Sequence, residues 1–378
     1  MIYLDNAATT AMSEAALSAL IEVSTNEYGN PSSAYGFGRK AKKILEKSRK
    51  IIAACIGAYP EEIYFTSCGT ESDNWVMSKA VEGMEKIITT SVEHHAILYP
   101  AEVQLVKGRN VIFLPVDDKC IVKESSLVQE LQGKSVLVSV MFQNNETGAV
   151  QNIKSIAKTV HEDNPNSILH TDAVQAVGHI RIDVKEMGID LLSASAHKFN
   201  GPKGVGFLYV NKNCSPAPYV IGGGQENGMR SGTENVAGIY SMAKALEDSI
   251  KHIDTIHSHI ASLDRLFLNL MAAEDIDYEI NGNSNNRAVG ILNVSIPGID
   301  GEGLLNMLDM HDICISTGSA CNSKLQNRSH VLKAMGFNDE RIDSSVRISI
   351  GRYNTEEDIR TLVKWITNCH KIAVVAKT

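Results

Sequence analysis

A chain of 378 residues, 43% hydrophobic and 21% charged, can bury a large core and divide into two domains. Its formal net charge of −8, with no basic run beyond the helix-like stretch from Arg39 to Lys50, excludes a nucleic-acid surface. No run approaches the ~18 apolar residues of a membrane-spanning helix.

The opening Met1-Ile2-Tyr3-Leu4-Asp5-Asn6 has neither the basic nor the apolar region of a secretory signal. The seven cysteines, at 55, 68, 120, 214, 314, 321 and 369, form no C-x-x-C pair and no dense framework. Both features suit a reducing compartment, and the cytoplasm is the expected location. Residues 13–24 read as a helix, and Gly29-Asn30-Pro31-Ser32-Ser33 as a loop. Apolar side chains at 41, 44, 45, 51, 52, 55 and 56 give residues 39–56 the spacing of an amphipathic helix. Strands are expected at 62–66, 86–91, 110–116, 135–142, 167–172, 189–196 and 204–210, with helical patterns between most of them. This alternation predicts an α/β fold whose large domain carries a seven-stranded, mostly parallel, doubly wound sheet. The stretch from Glu234 to about Leu270 reads as helical. Strands near 276–280 and 289–296, a helix from 301, a glycine-bearing loop around 318 and a final helix from 355 then form a smaller α+β domain. The expected division is 12–250 for the large domain, with 1–11 and 251–378 making the small one.

Three features of the large domain bear on chemistry. The apolar run from Ile189 to Ala196 ends at His197-Lys198, and Asn200-Gly201-Pro202 turns the chain away. A lysine at the carboxyl end of a buried strand stands where α/β sheets bind ligands, and partial burial makes its amine a nucleophile toward carbonyls. The segment Phe65-Thr66-Ser67-Cys68-Gly69-Thr70-Glu71-Ser72 joins a strand to a helix, so backbone N–H groups and hydroxyls converge in an anion cup. The same residues also allow an ordinary capping box, Thr70 with Asp73. Asp172, in His170-Thr171-Asp172-Ala173, ends another apolar run and can hold a protonated ring nitrogen. An anion cup, a carboxylate and an amine together supply what pyridoxal 5′-phosphate requires.

These residues resemble the cysteine desulfurases of the NifS/IscS type, within the aminotransferase-like, fold-type I pyridoxal phosphate enzymes. The resemblance runs nearly end to end, through Tyr3 to Thr10, Gly29 to Ser33, Thr66 to Ser72, Glu93-His94, Asn144 to Gly148, His170 to Ala173, Ser195 to Lys198, Gly222 to Glu226, Arg230 to Thr233 and Ser319-Ala320-Cys321. It implies that Lys198 takes the cofactor aldehyde, Asp172 pairs with the ring nitrogen, and Asn145 and Gln175 lie near the ring hydroxyl. Gly69, Thr70, Ser195 and His197 would hold the phosphate, with Thr233 lent by the second subunit of a homodimer. His94 would lie over the ring. Arg347 would grip the carboxylate of L-cysteine through two parallel hydrogen bonds, with Asn30 near the substrate.

Cys321 follows small residues in a polar, glycine-bearing loop, where a thiol is placed to react, whereas Cys55 and Cys314 sit amid apolar neighbours. The expected reaction has Lys198 remove the α-proton of L-cysteine and Cys321 take the sulfur as a persulfide, leaving alanine. The sulfur would pass to an iron–sulfur scaffold or another acceptor protein. In this loop Arg328 stands where the family commonly has proline. A related aminotransferase, a selenocysteine lyase, or a silent sulfur-carrying subunit are the competing readings. His252, His257 and His259 lie on a polar helical stretch without matched ligands, and no metal is expected.

Overall fold

The strands that position the site are apolar on both faces, as strands covered by helices on two sides must be. In the computed structural model, which describes residues 1–274, 276–282, 287–318 and 328–377, twelve strands are described. They are β1 (Ile2–Tyr3), β2 (Ile63–Thr66), β3 (Lys86–Thr90), β4 (Val111–Leu114), β5 (Val136–Ser139), β6 (Ile168–Asp172), β7 (Leu191–Ser195), β8 (Gly206–Val210), β9 (Glu279–Ile280), β10 (Ile291–Ser295), β11 (Ile313–Cys314) and β12 (Ser345–Ser349).

Seven of them form one sheet in the order β2-β8-β7-β6-β5-β3-β4. Only β8 runs against the rest, pairing antiparallel with both β2 and β7. Alternate residues feed opposite layers, as the pleat requires. Ile88, Val138, Leu192 and Phe207 join a core with the helices Gly36–Cys55, Ile153–Asp163 and Val236–Lys251, while Ile87, Leu137, Leu191 and Leu208 join a second core under Gly69–Lys79 and His95–Val106. The carboxyl ends of β2, β3, β5, β6 and β7 therefore open on one edge, and that edge carries the site.

A third core gathers Leu4, the helix Ile253–Ala273, β10, β12, the helix Gly301–Asp309 and the final helix Glu356–Lys377. Burying Leu4 alone stabilises this arrangement by ~2 kcal/mol, enough to hold the opening segment against the far end of the chain. Here β12-β10-β9 form an antiparallel sheet, and β1 pairs parallel with β11. Val331, Leu332, Met335 and Ile342 pack into the large first core.

The expected strands are present but shorter. The stretch 135–142 pairs as a strand only over Val136–Ser139, because Val140, Met141 and Phe142 are apolar through burial above the sheet edge, outside the strand. The helical stretch from Glu234 is two helices, Val236–Lys251 and Ile253–Ala273. They are separated at His252, whose φ of −109° and ψ of 14° leave the α region.

Candidate active site

Lys198 closes a single 3-10 turn, Ala196–Lys198, directly after β7. Asn200 at φ 63° and the close approach of Gly201 to Ala196, where a Cβ would meet the Ala196 carbonyl oxygen at 2.9 Å, reverse the chain there. The lysine Nζ donates to the carbonyl oxygens of Ala7 at 2.6 Å and Ala8 at 2.8 Å. That opening segment is anchored in turn. The Thr10 N–H and hydroxyl both donate to the His197 carbonyl, and the Ala7 N–H donates to Ser349 Oγ.

Asp172 ends β6 beside this amine and is 5% exposed. Burial pushes its carboxyl up to about 6, against the pull of the Val174 N–H and the Lys198 charge. Asp73 lines the same cleft, and burial and the neighbouring Asp172 push its carboxyl well above the usual range. Two buried acids so placed disfavour ionising together.

The strand-to-helix junction read as an anion cup lies where expected, with one correction. Cys68, extended at φ −174° and ψ 173°, is the residue before the helix, so Thr70 is the second residue of Gly69–Lys79 and no Thr70–Asp73 capping box forms. Asp73 instead falls one turn after Gly69 and faces the cleft. A Cβ on Gly69 would meet Val174 Cγ2 at 2.4 Å, so only glycine lets the backbone reach this point. Ser195 and His197 border the same end. Burial, with the Lys198 charge, pushes His197 down to about 4, so it is neutral at pH 7. Glu71 is engaged away from any ligand by the Ser67 N–H at 2.9 Å and by Arg230 at 2.7 Å.

His94 caps the helix His95–Val106: its Nδ1 accepts the Ala96 N–H at 3.1 Å, which leaves Nε2 as the protonated nitrogen. Burial, assisted by the Lys198 charge, pushes its pKa down to about 4. His94 thus offers a neutral Nε2–H donor at physiological pH.

Arg347, on β12, is 1% exposed. Its Nη2 donates to Asp5 Oδ1 at 2.6 Å and its Nη1 to the Asn145 carbonyl at 3.1 Å, while Nε is buried with no partner among the described residues. Each terminal nitrogen keeps a second N–H and Nε has no partner among the described residues, so the guanidinium retains donors for an incoming carboxylate. Gln175 donates to the Ala7 carbonyl at 2.9 Å. Asn145, Gln175, His94 and Arg347 all line one cleft of about 200 Å³ with Lys198 and Asp172.

One expected residue is not brought there, and another, Thr233, is expected from the second subunit. Asn30 is exposed, its Oδ1 accepting the Ser32 N–H at 2.9 Å in a local turn, and Thr233 is exposed and does not line the cleft. Cys321 lies outside the described residues. Burial pushes the thiols of Cys55 and Cys120 up to about 12, which leaves them inert. Arg328 is held on the surface by Asp343 at 2.6 Å and Asp339 at 2.9 Å. His252 bonds to Asp248 and His259 to the Asn354 carbonyl.

The Ala7 and Ala8 carbonyls enter the site without having been assigned roles from sequence, and Asp73, read there as a capping partner, lines the cleft instead. Helical spacing from Gly69 points to Asp73, but no local pattern points to carbonyls nearly 200 positions from the lysine they meet.

The donor set fits pyridoxal phosphate. A carboxyl whose pKa is raised by burial gains from a protonated ring nitrogen beside it. An 11-residue helix opening on glycine matches a phosphate, and a half-buried amine matches an aldehyde.

The class-V aminotransferase family matches residues 2–362. A cysteine desulfurase IscS from Methanosarcina thermophila is 43% identical over 364 residues, covering 95% of this chain and 89% of its own. The structure of a NifS-like protein superposes with a TM-score of 0.92 at 35% identity, covering 98% of this chain and 99% of that one. That of SspA in complex with cysteine gives a TM-score of 0.82 at 29% identity, covering 94% and 100% respectively.

Proposed function

The chain belongs to the class-V aminotransferase family, and we propose that it is a pyridoxal phosphate-dependent cysteine desulfurase that converts L-cysteine to L-alanine. The observation that carries this reading is the convergence of Lys198, Asp172, the helix start at Gly69 and the buried Arg347 on one cleft.

In this reading Gly69, Thr70, Ser195 and His197 hold the phosphate, joined by Thr233 from the second subunit of a homodimer. Asp172 carries the negative charge that keeps the ring nitrogen protonated, Asn145 and Gln175 face the ring hydroxyl, and His94 covers the ring. When bound, pyridoxal phosphate delocalises the electron pair left at Cα once a proton is removed. Lys198 is the group that takes that proton, its amine held at the cleft wall by two carbonyls. Arg347 receives the substrate carboxylate through its remaining N–H donors. The Cys321 thiolate attacks the substrate sulfur. The S–S bond of a persulfide forms as the Cβ–S bond breaks, the electron pair stays with carbon, and protonation there yields alanine. The sulfur then passes to an acceptor protein, such as an iron–sulfur scaffold. The six cysteines of the described residues are all free, which supports a cytoplasmic location.

The test is an absorption spectrum of the purified protein before and after L-cysteine, with alanine and sulfide assayed in the same sample. Lys198→Ala abolishes the visible band of the bound cofactor. Cys321→Ala keeps that band and loses sulfur release. Release of sulfide at the parent rate by the Cys321 variant rules out the assigned sulfur acceptor. Conversion of the cofactor to its amine form by an amino donor identifies an aminotransferase instead.

A further inference from the structure

A second cavity, of about 270 Å³, adjoins the cofactor cleft and shares Ala7, Gln143 and Gln175 with it. Its volume is several times the ~30 Å³ share of one water and close to the lower end of small-molecule pockets. Much of its lining is aliphatic. Ile253 and Ile260, both on the helix Ile253–Ala273, and Ile350 are buried there, and Ile180, Ile256 and Val289 are half-buried.

Several polar groups on this lining are engaged within the fold. The Thr10 hydroxyl donates to the His197 carbonyl at 2.8 Å, Gln175 Nε2 to the Ala7 carbonyl at 2.9 Å, His179 Nε2 to the Lys198 carbonyl at 2.8 Å and Asn200 Nδ2 to the Ala11 carbonyl at 2.8 Å. Two atoms are left over. Gln143 is 3% exposed, and its Oε1 is buried with no partner among the described residues. Arg287, with 8% of its side chain exposed, meets Asp264 end-on, Nη1 to Oδ2 and Nη2 to Oδ1, both at 2.6 Å. Nε is left on the other edge of the guanidinium, again buried with no partner among the described residues. Gln143 forms a backbone bridge with Val150, and Arg287 one with the adjacent Ala149, so neighbouring residues hold the two side chains in one place.

Buried polar atoms are nearly always paired, so an acceptor and a donor left over on one cavity lining mark a place for a molecule that supplies both complements. The charge of the lining selects among such molecules. Among the described residues no carboxylate lines the cavity, whereas Arg287 and Arg352 do. We propose that the cavity binds a small aliphatic carboxylate bearing a hydroxyl or ammonium group on its α carbon. The carboxylate accepts from Arg287 Nε, the α group donates to Gln143 Oε1, and the aliphatic chain packs on the isoleucines. Neither polar contact involves Lys198 or Arg347, so the site stands whichever reaction those two perform.

The test is calorimetric titration of the holoenzyme with L-2-hydroxyisocaproate, which has no amine to react with the cofactor aldehyde. A Kd on the order of 0.1–1 mM is expected, unchanged within about twofold when L-alanine saturates the cofactor cleft. Ile256→Phe fills the space, and Arg287→Lys keeps a cation beside Asp264 while removing the Nε–H. Each is expected to weaken binding at least ~10-fold, and Ile256→Phe decides alone if the Arg287 variant fails to fold. Isocaproate, which lacks the α-hydroxyl, should bind ~10-fold more weakly, since it leaves Gln143 unpaired. Tighter binding of the hydroxy acid than of L-leucine identifies a hydroxyl donor, the reverse order an ammonium donor, and either supports the site. Displacement of the hydroxy acid by L-alanine, or full affinity in Ile256→Phe, puts the ligand elsewhere and overturns the proposal. Equal affinity for isocaproate overturns the assigned ligand class. Absence of heat with all three probes up to about 10 mM overturns the site itself and leaves a hydrated cavity.

Discussion

The guanidinium of Arg347 meets the carboxylate of Asp5 at 2.6 Å across 342 positions of sequence, and it does so in a site 1% exposed on the arginine side. The two ends of the chain thus build one wall of the cleft, and Asp5 engages part of the group that a substrate carboxylate needs. Asp5→Asn is expected to destabilise the fold by ~3 kcal/mol, because it leaves a buried cation without its charge partner. It should also tighten the binding of L-alanine several-fold, because a competing anion is gone. Denaturant unfolding and titration of the cofactor absorbance measure the two effects, and weaker L-alanine binding would contradict this account of Asp5.

Gly69 and Val174 make a second long-range constraint. A Cβ at 69 would lie 2.4 Å from Val174 Cγ2, and Val174 is the residue whose N–H holds Asp172 at 2.9 Å. Overpacking of this kind costs ~1–3 kcal/mol, so Gly69→Ala is expected to raise the cofactor dissociation constant about 10- to 100-fold. Adding Val174→Ala removes the clashing methyl and should restore most of the affinity. Failure of the double variant to recover would show that the backbone of the cup, not the clash, is disturbed.

The buried imidazole of His170 makes stability depend on pH in one direction. Burial pushes it down to about 3, from an ordinary value near 6.5, while it bonds Ser139 at 2.9 Å and Ser193 at 3.0 Å. Above the ordinary value both folded and unfolded chains hold it neutral. As pH falls from about 6.5 toward 3 only the unfolded chain gains a proton there, so folding stability is lost over that window. In cofactor-free protein, His170→Asn should therefore unfold more readily than the parent at pH 8, with the gap narrowing steadily toward pH 4. A gap constant with pH would show that His170 does not titrate in this way.

Glu226 is tied to Arg49 by hydrogen bonds of 2.7 and 2.9 Å and also accepts the Phe65 N–H at 2.8 Å, with 2% of its side chain exposed. It supports strand β2 next to the anion cup from the loop that precedes Thr233. Glu226→Gln is expected to cost ~3 kcal/mol, since Arg49 keeps its charge with only the longer pair to Glu46 at 3.8 Å remaining. Arg49→Met with Glu226→Leu should be less destabilised than Glu226→Gln alone. The comparison is made by urea unfolding, and a double variant as unstable as the sum of two single losses would contradict the pairing.

Much of the architecture could be read along the chain. Ile87-Ile88 and Leu191-Leu192 are apolar at successive positions because β3 and β7 are covered on both faces, and a run of that kind marks a buried parallel strand wherever it occurs. The break at Asn200-Gly201 placed Lys198 at a strand end, and the polar turn after Phe65 placed the cup, since both are properties of a few adjacent residues. What adjacency does not encode is partnership. Thr70 reads as a cap, but the cap falls at Cys68, since that is decided by where the extended backbone of the preceding residue ends as the helix docks. The clasp of Ala7 and Ala8 on Lys198, the hold of Asp5 on Arg347 and the reach of Glu146 to Ser329 join residues 183 to 342 positions apart. Such contacts exist only once the hydrophobic cores have closed and brought distant backbone together. The order of residues along the chain thus specified the elements and the reactive types, while burial and chain return specified which of them face one another and in what protonation state.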